Sequence, residues 1–386
     1  MIGADFLVKQ VSFLHTADLH LDVPLSSLGD ESKAKIRRDE LENYLNRLVD
    51  KAQEEKTDLL IISGDLFENN QVKGSTVLKV KNMFSELYNT EVIIVPGNHD
   101  PISENSYYKS TLWSSNVHIL EDSQDTLYLE KYNTFIYCMG VKNSLKKDYP
   151  DLLKRNKSAE VFNILVFHGT VDIPFEDGNY NSITSKELFE LNMDYVALGH
   201  MHCYCEFKND KTVMINPGSP EPLGFDEEGQ HGFVQGIISL SEENRKRADI
   251  IFTPWAVRHY HNIEVNINDC ANDTEVIEKI DLQEHCILKR TDLYNITLTG
   301  FIHKNYIPDF GYILERFKDR CFYIKLKNQT SVRFDYEQYL EDPGIKGEFV
   351  RRILDQQEEE TSPERKETLF LALQYGLQAL ENERID

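Results

Sequence analysis

No stretch of the 386-residue sequence approaches the roughly 18 successive apolar residues that a bilayer-spanning helix needs. The opening MIGADFLVKQ also lacks the charged-then-apolar layout of a secretory signal. Cysteine is scarce and scattered, at 138, 203, 205, 270, 286 and 321, with no CxxC pair. That excludes a disulfide framework and a thiolate zinc knuckle, and it fits a reduced, cytoplasmic setting. There is no P-loop, no dinucleotide-binding glycine fingerprint, no internal repeat and no low-complexity tract. Positive charge is also short: 42 Lys and Arg face 65 Asp and Glu, a net −23. Nucleic-acid binding leans on Lys and Arg contacts to phosphate, so this chain alone offers weak intrinsic affinity for duplex DNA. Its basic clusters, Lys33–Arg38, Lys146-Lys147 and Arg245–Arg247, read as ordinary solvated faces. Hydrophobic content of 40% and charged content of 28% are those of a globular protein, here long enough for two or three domains.

What the sequence does contain is a set of metal ligands. Asp18-Leu19-His20, Gly64-Asp65, Gly97-Asn98-His99-Asp100, His168-Gly169 and Gly199-His200-Met201-His202 each follow an apolar, strand-like run: VSFLHTAD, DLLIISGD, EVIIVPGNHD, FNILVFHG and YVALGHMH. Ligands at the ends of parallel strands converge on one crevice even when far apart in sequence. In a strand, positions i and i+2 share a face, so Asp18 with His20, and His200 with His202, are expected to reach one cavity. Carboxylate, imidazole and amide oxygen without thiolate suit divalent ions such as Mn²⁺, Fe²⁺, Co²⁺ or Zn²⁺. Two such ions held close together are a recurrent device for cleaving phosphate esters. Cys203 and Cys205 follow His202 in GHMHCYCEF. Continued strand alternation would turn both away from His202 and leave them partly buried, with metal ligation as the alternative.

DLH, GDLF, GNHD, FHG and GHMH, in that order and followed by NPGSPEPLGF, resemble the calcineurin-like metallophosphoesterases. More narrowly, they resemble the DNA double-strand-break repair exonucleases, namely the nuclease subunit of SbcCD-type complexes and the YhaO-like branch. The protein serine/threonine phosphatases differ, with Asp-Arg-Gly after the second motif and GNHE at the third. The specific motifs cover about residues 11–235. The resemblance implies that Asp18, His20 and His202 hold one ion, that Asn98, His168 and His200 hold the other, and that Asp65 bridges both. Two divalent ions, Mn²⁺ favoured, would lower the pKa of water and so supply the nucleophile. His99 would stabilise the transition state or protonate the leaving oxygen. One departure stands out: many nucleases of this family carry a second active-site His three residues after the bridging Asp, where this chain has Glu68. The implied activity is a DNA exonuclease or endonuclease. The alternatives are a phosphodiesterase of nucleotides or short oligonucleotides, and a DNA- or partner-clamping scaffold with little activity.

The expected architecture is α/β: a two-sheet αββα metallophosphoesterase core over 11–262, a small α/β capping domain over 263–340 and a helical tail over 346–386. Candidate helices are Arg38–Glu54, Val77–Leu87 and Asp273–Asp281, with ILERF a further helix. HNIEVNI, CILKRT, YNITLTGF and FYIKLKNQ read as capping strands. NPGSP reads as a structural turn near the metals. Tyr107, Tyr108 and Lys109 are candidates to stack on a base or touch a phosphate. The tail carries ten acidic and six basic side chains, so it makes a poor DNA-binding arm. Leu369, Leu373, Leu377 and Leu380 nonetheless share one helical face. The resemblance implies that this tail grips the coiled-coil base of an SMC-like ABC ATPase, with Leu369, Leu373 and Leu377 central. It also admits a homodimer, implies DNA as a partner and implies no membrane.

Overall fold

The structure is a computed structural model and describes residues 9–68, 71–121, 126–139, 160–173, 182–243, 245–268, 270–283, 288–303 and 306–380. Cys286 and the Lys146-Lys147 cluster lie outside the described residues. The chain divides into two compact units, Met1–Tyr260 and His261–Asp386.

In the first unit, strands β1 (Gln10–Thr16), β2 (Leu59–Ser63), β3 (Glu91–Val95) and β4 (Val117–Ile119) run parallel in one sheet. The second sheet takes β5 (Thr126–Leu129), β6 (Thr134–Met139) and β7 (Phe162–His168). After a short pair, β8 (Thr170–Val171) and β9 (Ser182–Ile183), it adds β10 (Tyr195–Gly199), β11 (Cys205–Lys208) and β12 (Val213–Asn216). The chain then returns to the first sheet with β13 (Gly232–Leu240) and β14 (Lys246–Pro254). The sheet orders are β14-β13-β1-β2-β3-β4 and β11-β12-β10-β7-β6-β5. Strands β2, β7 and β10 are buried along their whole length, as continuous apolar strands covered on both faces should be.

Val11, Phe13, Leu59, Ile61 and Ile93 from the first sheet pack against Ile136, Ile164, Val166 and Ala197 from the second. The outer face of the first sheet is covered by the helices Glu31–Glu55 and Gly74–Ser85 through Leu41, Leu45, Leu48, Val77 and Phe84. The outer face of the second packs Leu188 of the helix Ser185–Glu190. The result is the expected αββα layering. The first helix starts seven residues before the expected Arg38, because Asp30 caps it by accepting from the backbone N–H groups of Ser32 and Lys33. The basic cluster on that helix is a solvated face only in part, with Lys35 exposed and Lys33 half-buried. Arg37 is buried and donates to Glu40, Glu221 and Pro222, while Arg38 donates to Pro24 and Glu31.

The second unit holds strands β15 (Tyr260–Asn266), β16 (Leu293–His303) and β17 (Tyr323–Arg333) in one sheet, with the helices Asp273–Asp281 and Phe310–Phe317 packed on it through Val276, Ile280, Ile313 and Phe317. The described part of CILKRT forms a turn rather than a strand, with Asp292 N–H donating to Lys289 O. Two helices follow, Ile345–Glu359 and Pro363–Leu380. Leu373 and Leu377 are fully buried with Val350, against Phe349, Ile353 and Phe334. This corrects the expectation for Leu373 and Leu377, which are covered within their own unit; Leu369 and Leu380 are half-buried. Among the described residues no helix is long and apolar enough to cross a membrane.

Candidate metal centre

Each ligand stretch lies at or just past the C-terminal end of a parallel strand: Asp18 and His20 after β1, Asp65 after β2, Asn98 after β3, His168 at the end of β7, and His200 and His202 after β10. The expected strand alternation is not what brings them together. Asp18 (φ 52°), His20 (φ 44°), Asp65 (φ 50°) and His200 (φ 95°) all take positive φ, a conformation that costs an L-residue roughly 1–3 kcal/mol. The loops after β1 and β2 hold this geometry by pairing with one another. Asp18 N–H donates to Gly64 O (3.1 Å), His20 N–H to Asp65 O (2.9 Å) and Leu21 N–H to Leu66 O (3.0 Å). Glycine is required at two points of closest approach. A Cβ on Gly64 (φ 98°) would sit 1.8 Å from His168 Nδ1, and one on Gly97 would sit 2.1 Å from Asp65 Oδ1.

Three ligand trios result, each with its donor atoms within 4.8 Å of one another: Asp18, His20 and His202; Asp65, His168 and His200; and His20, Asp65 and His99. Asn98 Oδ1 joins the second, 3.0 Å from His168 Nε2 and 3.0 Å from His200 Nδ1. Asp65 Oδ2 lies 3.2 Å from His168 Nε2 and 3.7 Å from His20 Nε2, the place of a group shared by two sites. His99 donates its backbone N–H to Asp65 Oδ1 (2.8 Å), and its ring is 44% exposed. His20 Nε2 is buried without a hydrogen-bond partner among the described residues. A buried polar atom left unpaired is costly, and an Nε2 lone pair so placed beside Asp18, Asp65 and His202 suits a metal ligand. The donor set therefore fits two divalent ions.

Two ligands are oriented from behind. His168 Nδ1 donates to Ser63 O (2.8 Å), which leaves Nε2 facing the centre. His202 Nδ1 lies 2.6 Å from Glu227 Oε1. Glu227 Oε2 in turn accepts from Ser219 Oγ (2.6 Å) and Leu223 N–H (3.0 Å). Carboxylates and carbonyls of this kind set ligand tautomer and ring orientation. Glu227 was not anticipated; its one sequence signal is the acidic run Asp226-Glu227-Glu228 after PGSPEPLGF. The NPGSP turn is structural, as expected: Asn216 Nδ2 donates to Met201 O and Cys203 O, and Ser219 N–H donates to His202 O (3.1 Å).

Burial pushes the Asp18 carboxyl up, although His168 and His202 pull it down. Burial also works against ionised Asp65, yet His168 and His20 hold its carboxyl well below the usual range. Burial lowers both His168 and His202. Asp65 overcomes it at His168 and Glu227 at His202, so each is pushed up to about 9. His200 falls to about 4, through burial and the neighbouring His168.

Tyr108 is not a substrate contact. It is buried, and its hydroxyl donates to Asp100 Oδ2 (2.5 Å). Asp100 also accepts from Gly97 N–H (2.7 Å) and Phe67 N–H (3.1 Å), so the pair braces the GNHD turn. Tyr107 is half-buried and Lys109 is exposed. Cys203 is exposed and Cys205 half-buried; β11 begins only at Cys205, so alternation does not run on from His202. Neither cysteine belongs to a ligand trio among the described residues.

The calcineurin-like phosphoesterase family profile matches residues 11–204. The uncharacterized metallophosphoesterase YhaO of Bacillus subtilis (strain 168) is 25% identical over 288 residues, covering 71% of this chain and 68% of its own. Among solved structures, TT1561 of Thermus thermophilus is 14% identical with a TM-score of 0.37, covering 63% of this chain and 98% of that one. A dimetal phosphatase from Danio rerio is 12% identical with a TM-score of 0.37, covering 64% and 99%. With its profile match spanning half of its length and carrying all five ligand stretches whole, the chain belongs to the calcineurin-like phosphoesterase family, whose chemistry is metal-dependent phosphoester hydrolysis.

Proposed function

We propose that this protein is a two-metal phosphodiesterase that cleaves DNA, from ends or within single strands, with Mn²⁺ as its preferred ion. The observation that carries this reading is the convergence of Asp18, His20, Asp65, Asn98, His168, His200 and His202 beside an imidazole, His99, that is open to solvent. Asp18, His20 and His202 would hold one ion; Asn98, His168 and His200 would hold the other; Asp65 would serve both. Bound ions supply Lewis acidity and an activated water. His99 is free at its open edge to give a proton to the leaving oxygen, and the GDLF and GNHD contexts are those of the nuclease-like branch.

Metal-stripped protein, resupplied with Mn²⁺, Co²⁺ or Fe²⁺, should cleave end-labelled single- or double-stranded DNA, and Asp65→Asn should not. Absence of cleavage with every ion, or unchanged cleavage in Asp65→Asn, would defeat the nuclease reading. Nucleotides and short oligonucleotides are the second reading, supported by the net charge of −23 and by the Glu68 carboxylate beside His99. Preferential hydrolysis of a small phosphodiester over long DNA would promote it. Bound metal without turnover would instead favour a clamping scaffold.

The proposed protein partner remains an SMC-like ABC ATPase docking on the C-terminal helix pair. With Leu373 and Leu377 buried, the faces left for it carry Ile345, Leu371 and Tyr375, which are 74%, 37% and 42% exposed. Charged substitutions there should abolish co-purification of the ATPase while sparing hydrolysis of a small phosphodiester.

A further inference from the structure

Glu68 stands three residues beyond Asp65 and touches two imidazoles at once. Its Oε2 lies 3.3 Å from His20 Nδ1, and its Oε1 and Oε2 lie 3.2 and 3.1 Å from His99 Nδ1. The two rings meet edge to face with centroids 4.6 Å apart. The backbone fixes where this carboxylate can be. Glu68 N–H donates to Leu21 O (3.1 Å), while Glu68 O accepts from Gln71 N–H (2.8 Å) and Val72 N–H (2.7 Å). The side chain is 15% exposed.

An ionised carboxylate only accepts hydrogen bonds, and a neutral imidazole carries one N–H. Both contacts therefore require the proton on Nδ1. In His20 this leaves Nε2 as the lone-pair atom, which is the nitrogen found buried without a partner. In His99 it sets Nε2 at the open edge of the ring. There the cationic form, protonated at both nitrogens, can give its Nε2 proton to the leaving oxygen and return to the neutral ring with Nδ1–H still on Glu68. A water-exposed histidine would not choose this tautomer in both rings unaided.

We propose that Glu68 is a positioning residue: one carboxylate that presents His20 Nε2 to a metal and His99 Nε2 to the leaving oxygen of the ester. The His99 half rests on the two-metal hydrolytic reading above; the His20 half rests on geometry alone. Glu68 in this way takes over the orienting task that Ser63 O performs for His168 and Glu227 for His202, with the difference that one group serves a ligand and an acid together.

The test compares unaltered protein with Glu68→Ala and Glu68→Gln. In metal-free, ¹⁵N-histidine-labelled protein, His20 and His99 should both show Nδ1–H, with the signals assigned through His99→Asn. Glu68→Ala should release both rings from that form. Glu68→Gln, whose carboxamide oxygen still accepts but carries no charge, should hold both rings in that form less fully than Glu68 does. Titration with Mn²⁺ should show one site weakened about 10–100-fold in Glu68→Ala and less in Glu68→Gln. Turnover of a small phosphodiester should fall through kcat, with KM little changed. Should Glu68→Ala misfold, Glu68→Gln carries the test by the same readings. Unchanged ring tautomers and unchanged Mn²⁺ affinity would overturn the proposal. If even the unaltered chain cleaves no phosphodiester, the hydrolytic reading falls, while the ring spectra and the Mn²⁺ titration still decide the role of Glu68.

Discussion

The two sheets bring opposite chemistry to the same centre. The ends of β1, β2 and β3 contribute both carboxylate ligands, Asp18 and Asp65, together with the Asn98 amide and His20. The ends of β7 and β10 contribute imidazoles only: His168, His200 and His202. The acidic side acts on the imidazole side. Although burial opposes it, Asp65 helps lift His168 to about 9, while His200, beside His168, drops to about 4. Protons on His168 and His202 thus stand in for the cations that the carboxylates call for. Filling the site with metal must expel them, because an imidazole ligand binds in its neutral form. The asymmetry makes one sheet the source of charge and the other the adjustable partner.

Removing the charge source should have the largest effect. Asp65 is the carboxylate within reach of His20 on one side and His168 on the other. Asp65→Ala is expected to lose both metal equivalents by elemental analysis, and hydrolysis with them. His99→Ala should lower turnover by about 10²–10⁴, the range for a positioned acid or base, while keeping its metal. Equal metal loss in both variants would make His99 a ligand, as the trio of His20, Asp65 and His99 allows.

A smaller effect is expected on the imidazole side. Glu227 belongs to no ligand trio but orients His202, a trio member, across 2.6 Å. Glu227→Gln preserves an accepting oxygen and the shape of the loop. Affinity for Mn²⁺ should fall by about tenfold at the site that uses His202, the low end for groups behind a ligand. A loss as large as that in Asp65→Ala would erase the distinction between the two sheets.

Much of this was legible in the sequence, because strand-end placement is a property of local pattern. An apolar run followed by Gly-Asp or Gly-Asn-His announces both the strand and the ligand, and every predicted metal ligand converges. The route by which they converge was not legible. Alternation in an extended strand was the simple expectation, whereas Asp18, His20 and His200 use positive φ. For the first two this depends on the loops after β1 and β2 pairing across 3.1 and 2.9 Å, while His200 donates its backbone N–H to the Asp18 carboxylate. Glu227 escaped for a similar reason: it lies 25 residues from His202, and no spacing rule links them. The burial of Tyr108 was not legible either, because its pairing with Asp100 eight residues earlier exists only in the folded GNHD turn. The Leu373 and Leu377 stripe showed that an apolar face needs cover but not whose, and the cover is Val350 and its neighbours.

The smallest expected effect isolates the proton half of the comparison. In metal-free protein the His168 and His202 values rise from 6.5 to about 9 on folding. The folded state then binds more protons than the unfolded chain, so stability falls as pH rises. This contribution is fully present below about 6.5 and is lost as pH climbs through about 9. Metal-free protein should accordingly show a declining Tm across that window. Protein loaded with Mn²⁺, whose ligand imidazoles are already neutral, should show no such decline, and its metal uptake below pH 9 should release protons into a weakly buffered solution. His202→Gln should shallow the metal-free slope without removing it, because His168 keeps its own pair with Asp65 at 3.2 Å. A metal-free Tm that stays level over the whole window would mean that the carboxylate side does not charge the imidazole side, and the division of labour between the sheets would have to be abandoned.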